Sequence, residues 1–286
     1  MTSVKIDPKA YPIADVLPFL LLDKTSKENV IFATDSYEDR GELFGAKLPI
    51  TPGLITRDGG CIIQPRVLKD RDEQQSRTRK KAEVFTPAWV CCMMNDHCDS
   101  EWFGRDGVFD NLDGQEWRPC SGRIEFPKGK RWQAYVDSRR LEITCGEAPY
   151  LVSRYDMGTG EPIPIGERIG ILDRKLRVVN ENTETEEDWL KWTLRAFQSV
   201  YGYEYQGDNL FVARCNLLQT FAEYLEARWQ RQATKKEIKK NKHLERWNWC
   251  MYGINKSLKY GIEWNRYELT LHNLKEDFLA HYPNEK

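Results

Sequence analysis

The sequence has almost no net charge, no long apolar run and no regular cysteine spacing. Its 43 basic and 44 acidic side chains nearly cancel, so any binding of nucleic acid has to come from local basic patches. The longest early apolar stretch, residues 16–22, is interrupted by Pro18 and is far too short to span a bilayer. The eight cysteines and the polar start without a signal peptide predict free thiols in a reduced, cytoplasmic protein without a membrane segment.

Apolar and aromatic residues are plentiful. They include ten Trp and thirteen Tyr, within a hydrophobic fraction of 40%, which excludes a disordered chain. A chain of 286 residues can bury one substantial core with appended segments. Four potential zinc ligands occur close together, but their spacing fits no common zinc finger, so we predict no metal site there; they are Cys91, Cys92, His97 and Cys98.

The order of predicted elements favours an α/β fold. A strand over residues 140–144 and a second over residues 200–205 are each followed by helical patterns. Between them, Thr183 and Glu186 have the spacing of a capping box at the start of an amphipathic helix. Strand–helix–strand–helix order is typical of parallel strands.

Two further predictions concern the region before these strands. Thr86 as a cap and Pro87 at the first helical position predict a helix to Cys98, with Val90, Met93 and Met94 on one side. The turn-rich residues 104–129 predict a loop with a small hairpin around residues 123–126.

Residues 66–81 hold seven basic and three acidic side chains. They are interpreted either as a contact to DNA phosphates, with Arg77, Arg79, Lys80 and Lys81 as the candidate residues, or as a solvated linker. Residues 228–246, with eight basic and two acidic side chains, allow the same two interpretations.

Three segments resemble the cofactor-binding half of N6-adenine-specific DNA methyltransferases. Residues 82–87, Ala-Glu-Val-Phe-Thr-Pro, are similar to the segment that precedes a helix beside the cofactor in that family. The resemblance implies that Phe85, Thr86 and Pro87 contact the methionine end of S-adenosylmethionine. A threonine hydroxyl and free helix N–H groups suit a carboxylate.

The second segment, residues 141–151, is similar to the family's strand–loop–helix with the Cys-Gly pair, here Cys145 and Gly146. The resemblance implies that Glu142 holds the methionine ammonium and that Gly146 lets the backbone approach the ligand. Ala148 stands where the family usually has a second glycine. In the third segment, residues 201–218, Glu204 matches the strand-end acid that binds the ribose hydroxyls.

The resemblance implies a Rossmann-like S-adenosylmethionine-dependent methyltransferase core over residues 80–230, after an N-terminal region, residues 1–79, and before a basic helical C-terminal segment, residues 231–286. The family's catalytic tetrapeptide is an Asp, Asn or Ser, two prolines and an aromatic residue, which hold the flipped adenine. This tetrapeptide does not occur in the sequence, so no catalytic residue is assigned. Tyr252, in residues 247–253, stands where a further adenine-holding acid would be sought.

Two functions therefore remain open. One is a DNA adenine-N6 methyltransferase or modification subunit of a restriction–modification system, with DNA and a restriction or specificity subunit as partners. The other is a catalytically inactive methyltransferase-like protein that binds DNA or a restriction or defence complex, a phage-encoded inhibitor being one version.

Overall fold

A computed structural model describes residues 4–23, 26–57, 60–81, 83, 86–240 and 251–253, with the backbone alone at positions 80, 81, 236, 239, 240 and 251–253. The α-helices are α1 (Leu17–Leu21), α2 (Pro52–Ile55), α3 (Arg71–Lys81), α4 (Ala88–Phe103), α5 (Trp132–Asp137), α6 (Ile171–Asn182), α7 (Glu186–Gln198), α8 (Gly207–Trp229) and α9 (Lys235–Lys240). The strands are β1 (Leu22–Asp23), β2 (Glu28–Asn29), β3 (Asp110–Asp113), β4 (Glu116–Pro119), β5 (Arg140–Ile143), β6 (Val200–Glu204) and β7 (Met251–Gly253). Short 3-10 helices cover Ile13–Asp15, Glu38–Arg40, Glu42–Phe44, Arg66–Leu68 and Ile165–Glu167.

The central sheet has the order β5-β6-β7. Both of its strand pairs are parallel, with Glu142 opposite Gly202 and Tyr203 opposite Tyr252, which confirms the predicted parallel pairing. Helices α6 and α7 connect β5 to β6, and α8 follows β6. Crossovers of this kind are what parallel strands require, because the chain must return to the same end of the sheet.

Helix α8 lies at the centre of the molecule. Most of its residues are buried, including Leu210, Phe211, Leu217 and Phe221, and a helix that is apolar on most sides belongs inside a core. The N-terminal region packs directly on its start. The N–H of Gly207 donates to the carbonyl of Phe32 at 2.9 Å, and a Cβ added at Gly207 would lie 1.9 Å from the carbonyl oxygen of Ile31.

The hydrophobic core extends across the predicted domain boundaries at residues 79 and 230. One cluster of buried side chains runs from Ile6 to Ile238. The N–H of Ala233 donates to the hydroxyl of Tyr11 at 2.7 Å, and β7, within the predicted helical C-terminal segment, joins the central sheet. The described parts of residues 1–79 and 80–230 therefore share one core. The remainder of the predicted C-terminal segment, residues 241–250 and 254–286, lies outside the described residues.

Helix α4 begins one residue later than predicted, with Pro87 at the N-cap and no side chain capping the helix. Met93 and Met94, predicted on one side with Val90, are both exposed, so this side is not the buried one. The buried side carries polar residues such as Asn95 and Asp99, whose partners lie far along the sequence and leave no local pattern.

The capping box at Thr183 was also wrong. Thr183 ends α6, and its hydroxyl donates to the carbonyl of Val179 at 2.8 Å. The cap of α7 is Thr185, whose side chain accepts the N–H of Asp188 at 3.2 Å.

Two local predictions can be compared with the region before β5. The hairpin is β3–β4, paired from Asp110 with Pro119 to Asp113 with Glu116, and residues 123–126 form no strand. Residues 71–81 of the proposed linker form α3. In the part of the chain that the structure describes, every helix is too short or too polar to cross a bilayer.

Candidate functional site

Two acidic side chains lie at the carboxyl ends of neighbouring parallel strands. Glu142 is on β5 and Glu204 is the last residue of β6, and both are buried. We call this end of the central sheet the carboxyl edge. Ligands of open α/β sheets bind in the crevice outside the carboxyl ends of the strands, so the position of these two acids is the place to look for a ligand site.

Glu204 joins β6 to the loop after β5. Its Oε2 accepts the backbone N–H of Gly146 at 2.6 Å, and its Oε1 accepts that of Gln206 at 2.9 Å. Burial raises the pKa of Glu204, while these two backbone donors oppose the rise. A carboxylate has four lone pairs on its two oxygens, and a third backbone donor, Tyr205, also interacts with Glu204, so capacity remains for one further donor such as a hydroxyl.

Glu142 has one carboxylate oxygen without a partner among the described residues. Its Oε1 accepts the N–H of Tyr150 at 3.4 Å, whereas its Oε2 is buried and accepts no hydrogen bond from the described residues. Burial raises the pKa of Glu142 well above its usual range, and the nearby charge of Glu204 adds to the rise. An acid held in this way favours its neutral form unless a cation arrives to pair with it.

The loop after β5 has an unusual backbone. Thr144, Gly146 and Ala148 have φ values of +55°, +54° and +68°, in the left-handed region that glycine adopts without cost and other residues avoid. Space is open around Gly146, because a Cβ there would meet no heavy atom within 4 Å. Backbone strain of this kind concentrates at ligand-binding sites.

Cys145 lies in the same loop but is buried, and burial raises the pKa of its thiol well above the usual value. A thiol in such surroundings is a poor nucleophile. Its backbone N–H donates to the carbonyl of Tyr203 at 2.8 Å, so its part in the site is to fasten the loop to β6.

The predicted Phe-Thr-Pro segment reaches the same edge at Thr86. Burial raises the pKa of Tyr150, and an interaction of its hydroxyl with Thr86 opposes the rise, so Thr86 faces the loop after β5. Pro87 is exposed, and Phe85 lies outside the described residues. The N–H of Ala88 donates to Asp156 at 3.3 Å, so this helix N–H is not free for a carboxylate.

Arg77 is not at the surface. It is 2% exposed, and its guanidinium pairs with Glu83 at 2.8 Å and with Asp208 at 2.7 Å. The predicted phosphate contact is therefore wrong for Arg77. Arg79 is exposed on α3. The side chains of Lys80 and Lys81 lie outside what the structure describes.

One group of potential metal ligands comes together among the described residues. Atoms of Cys92, Asp96 and Asp110 lie within 4.8 Å of one another. The guanidinium of Arg174 already binds two of them, with distances of 2.6 Å to Asp96 and 2.8 Å to Asp110. Because a fixed positive charge pairs with these carboxylates, we assign no metal to the group.

Two cavities are lined wholly by described residues. One, of about 670 Å³, is lined by Tyr37, Lys69 and Arg77 among others. The other, of about 300 Å³, is lined by Arg168 and Arg174 among others. Neither is lined by Glu142, Gly146 or Glu204.

Sequence reasoning missed Glu147 and Gln206. Glu147 accepts the backbone N–H of Arg66 and the hydroxyl of Tyr155, each at 2.6 Å. These bonds hold the loop after β5 in place. Gln206 connects Glu204 to Glu83. Both residues lie in segments that resemble the methyltransferase family, residues 141–151 and 201–218. Their partners, however, are separated from them in sequence by up to 123 residues.

Comparisons with known proteins do not identify a relative of this chain. No family model matches it, and neither a curated protein nor a solved structure does so.

Proposed function

We propose that this protein binds S-adenosylmethionine at the carboxyl edge and acts as a DNA adenine-N6 methyltransferase, or as the modification subunit of a restriction–modification system. The observation that supports this most directly is the bond between Glu204 and the N–H of Gly146. It brings together the strand-end acid and the glycine loop of two segments that resemble the family, although 58 residues separate them.

The side chains at the carboxyl edge fit S-adenosylmethionine in three ways. The unpartnered oxygen of Glu142 would accept the ammonium of the methionine group. The carboxylate of Glu204 would accept the ribose hydroxyls, and the open space at Gly146 would admit the ligand close to the backbone. A buried carboxylate oxygen without a donor is costly unless a ligand satisfies it.

When bound, S-adenosylmethionine supplies an electrophilic methyl group. The described residues bind and orient this ligand, while the side chains that would hold adenine are not assigned. DNA would be attracted by local basic residues such as Arg79, which is exposed on α3, because phosphate contacts supply most of the non-specific affinity.

A second candidate function is a catalytically inactive methyltransferase-like protein that binds DNA or a restriction or defence complex. The observation that favours it is the lack of the catalytic tetrapeptide in the sequence. Ala148 in the cofactor loop favours it as well, since a methyl group replaces the usual glycine hydrogen.

Isothermal titration of the purified protein with S-adenosylmethionine tests the shared part of both functions. We expect micromolar binding, and ATP serves as a control ligand that has the adenosine but lacks the methionine. Transfer of a labelled methyl group to adenine in DNA, alone or with a specificity subunit, supports the enzyme. Binding without transfer supports the inactive protein, and no binding contradicts the proposed cofactor site.

A further inference from the structure

A buried cluster of ionic side chains lies beside the carboxyl edge. Arg77 and Asp208 are almost fully buried, and Tyr37 donates its hydroxyl to Asp208 at 3.0 Å. Burial by itself would raise the pKa of Asp208, but the charges of Arg77 and Lys69 outweigh it and lower the pKa. The pair is therefore ionised, and both charges depend on each other for compensation.

The guanidinium of Arg77 connects two separate parts of the chain. Its Nε donates to Glu83 Oε2 at 2.8 Å, and its Nη2 donates to Asp208 Oδ2 at 2.7 Å. Glu83 begins the segment that leads to Thr86, whereas Asp208 lies in the first turn of α8. A planar fork of donors is suited to holding two carboxylates in a fixed arrangement.

The connection continues from Glu83 to the acid of the proposed ligand site. The side-chain amide of Gln206 donates to Glu83 Oε2 at 3.5 Å, and the backbone N–H of Gln206 donates to Glu204 at 2.9 Å. Glu204 in turn accepts the N–H of Gly146. Residues 204–208 are thus held at both ends, by Gly146 on one side and by Arg77 on the other.

The segment before α4 is held at two points as well. Glu83 pairs with Arg77, and its backbone carbonyl accepts a hydrogen bond from Arg66. Three residues later Thr86 faces Tyr150. Glu83 is thus held on the β6 side through Arg77 and Gln206, and Thr86 lies beside Tyr150 in the chain that follows β5.

From these contacts we infer that Arg77 is a positioning residue of the carboxyl edge. It fixes Glu83 and the start of α8, so that Glu204 remains hydrogen-bonded to the N–H of Gly146. The expected effect on S-adenosylmethionine affinity rests on the proposed function. The expected effect on hydrogen exchange of the Gly146 and Gln206 amides does not rest on it.

The test compares Arg77→Gln, Arg77→Lys and a matched control, Arg168→Gln. Arg168 is also a buried arginine in an ion pair, at 2.6 Å from Glu223, but it does not contact the residues of the carboxyl edge named above. Hydrogen exchange of the Gly146 and Gln206 amides is measured by NMR, and S-adenosylmethionine affinity is measured by calorimetry, both well below the unfolding temperature of each variant.

We expect Arg77→Gln to accelerate exchange of both amides at least tenfold relative to Arg168→Gln, and to weaken S-adenosylmethionine binding at least tenfold. Arg77→Lys should fall between, because an ammonium group lacks the planar fork. Equal exchange in Arg77→Gln and Arg168→Gln would overturn the inference. If the unaltered protein does not bind S-adenosylmethionine, the proposed function fails, while the exchange rates still decide the role of Arg77.

Discussion

Glu204 Oε2 accepts the backbone N–H of Gly146 at 2.6 Å, so the acid at the end of one strand holds the loop that follows its neighbour. A carboxylate that accepts a backbone N–H forms a short, strong hydrogen bond. Because the same side chain also accepts the N–H of Gln206, the loops after β5 and β6 share one acceptor. A change at Glu204 is expected to affect both loops.

Replacing Glu204 by alanine should weaken S-adenosylmethionine binding by about 2–3 kcal/mol, because a charged acceptor of hydrogen bonds is removed. Calorimetric titration of the variant and of the unaltered protein measures the difference. Glu161→Ala is the matched control, since Glu161 is exposed and lies outside the carboxyl edge. Equal affinity of the Glu204 variant and the unaltered protein would exclude the proposed ribose contact.

Glu142→Gln should stabilise the folded protein more at pH 8 than at pH 5. Burial raises the folded-state pKa of Glu142 above its ordinary value of 4.5, so the folded state holds a proton that the unfolded state has lost. The free energy of unfolding therefore falls as the pH rises from 4.5 towards the folded pKa. Glutamine carries an amide that stays neutral, so the variant does not show this fall in the free energy of unfolding.

Urea unfolding of both proteins at the two pH values measures the effect of Glu142→Gln. Glu161→Gln, at an exposed position, is the matched control. If the gain from Glu142→Gln does not depend on pH, the carboxyl group of Glu142 does not titrate differently in the folded state.

Ala148→Gly should change stability little and improve ligand binding. The left-handed backbone at Ala148 costs a residue with a Cβ roughly 1–2 kcal/mol. This relief is offset by about 0.4–1 kcal/mol for the freer unfolded chain and by about 0.8 kcal/mol for the lost buried methyl. A free energy of unfolding within about 1 kcal/mol of the unaltered protein follows from these magnitudes.

The control for Ala148→Gly is Ala196→Gly, because Ala196 is equally buried but lies inside helix α7. That substitution should cost about 2 kcal/mol, from helix propensity and the lost methyl together. Equal costs for the two glycine variants would show that the backbone at Ala148 is not strained. A rise in S-adenosylmethionine affinity for Ala148→Gly alone would show that its methyl group restricts the site.

Replacing Arg79, Lys80 and Lys81 by glutamine should make the affinity for DNA less dependent on salt concentration. Each phosphate contact that is lost lowers the slope of log affinity against log salt concentration by about 0.9 for duplex DNA. Fluorescence anisotropy over a series of salt concentrations gives the slope. Arg118→Gln, on the exposed β3–β4 hairpin, is the control, and an unaltered slope in the triple variant would leave α3 without a part in DNA binding.

The strands of the central sheet could be predicted from sequence because their signals are local. Residues 140–144 and 200–205 were expected as strands, and β5 and β6 cover Arg140–Ile143 and Val200–Glu204. The alternation of buried and half-buried residues along β6 follows the two-residue period of a strand. Local periodicity therefore located the elements that carry Glu142 and Glu204.

The partners of buried charges could not be predicted in this way. Arg77 was expected at the surface because its neighbours are polar, yet its partner Asp208 is 131 residues away. The buried side of α4 could not be predicted for the same reason, since Asp99 on that side pairs with Arg174 at 2.9 Å. A buried ion pair between distant residues leaves no periodic trace in either segment.

The close contact between Gly207 and Ile31 determines which fragments of the protein can fold on their own. No side chain fits at Gly207 while the carbonyl of Ile31 remains in place, so the first turn of α8 depends on a stretch of chain near the amino terminus. A protease that cuts between residues 34 and 57 should nick the protein without releasing an independent core. A recombinant fragment that starts at residue 80 would leave the buried start of α8 open to water and would lack Arg77, the partner of Asp208, so we expect it to aggregate rather than fold.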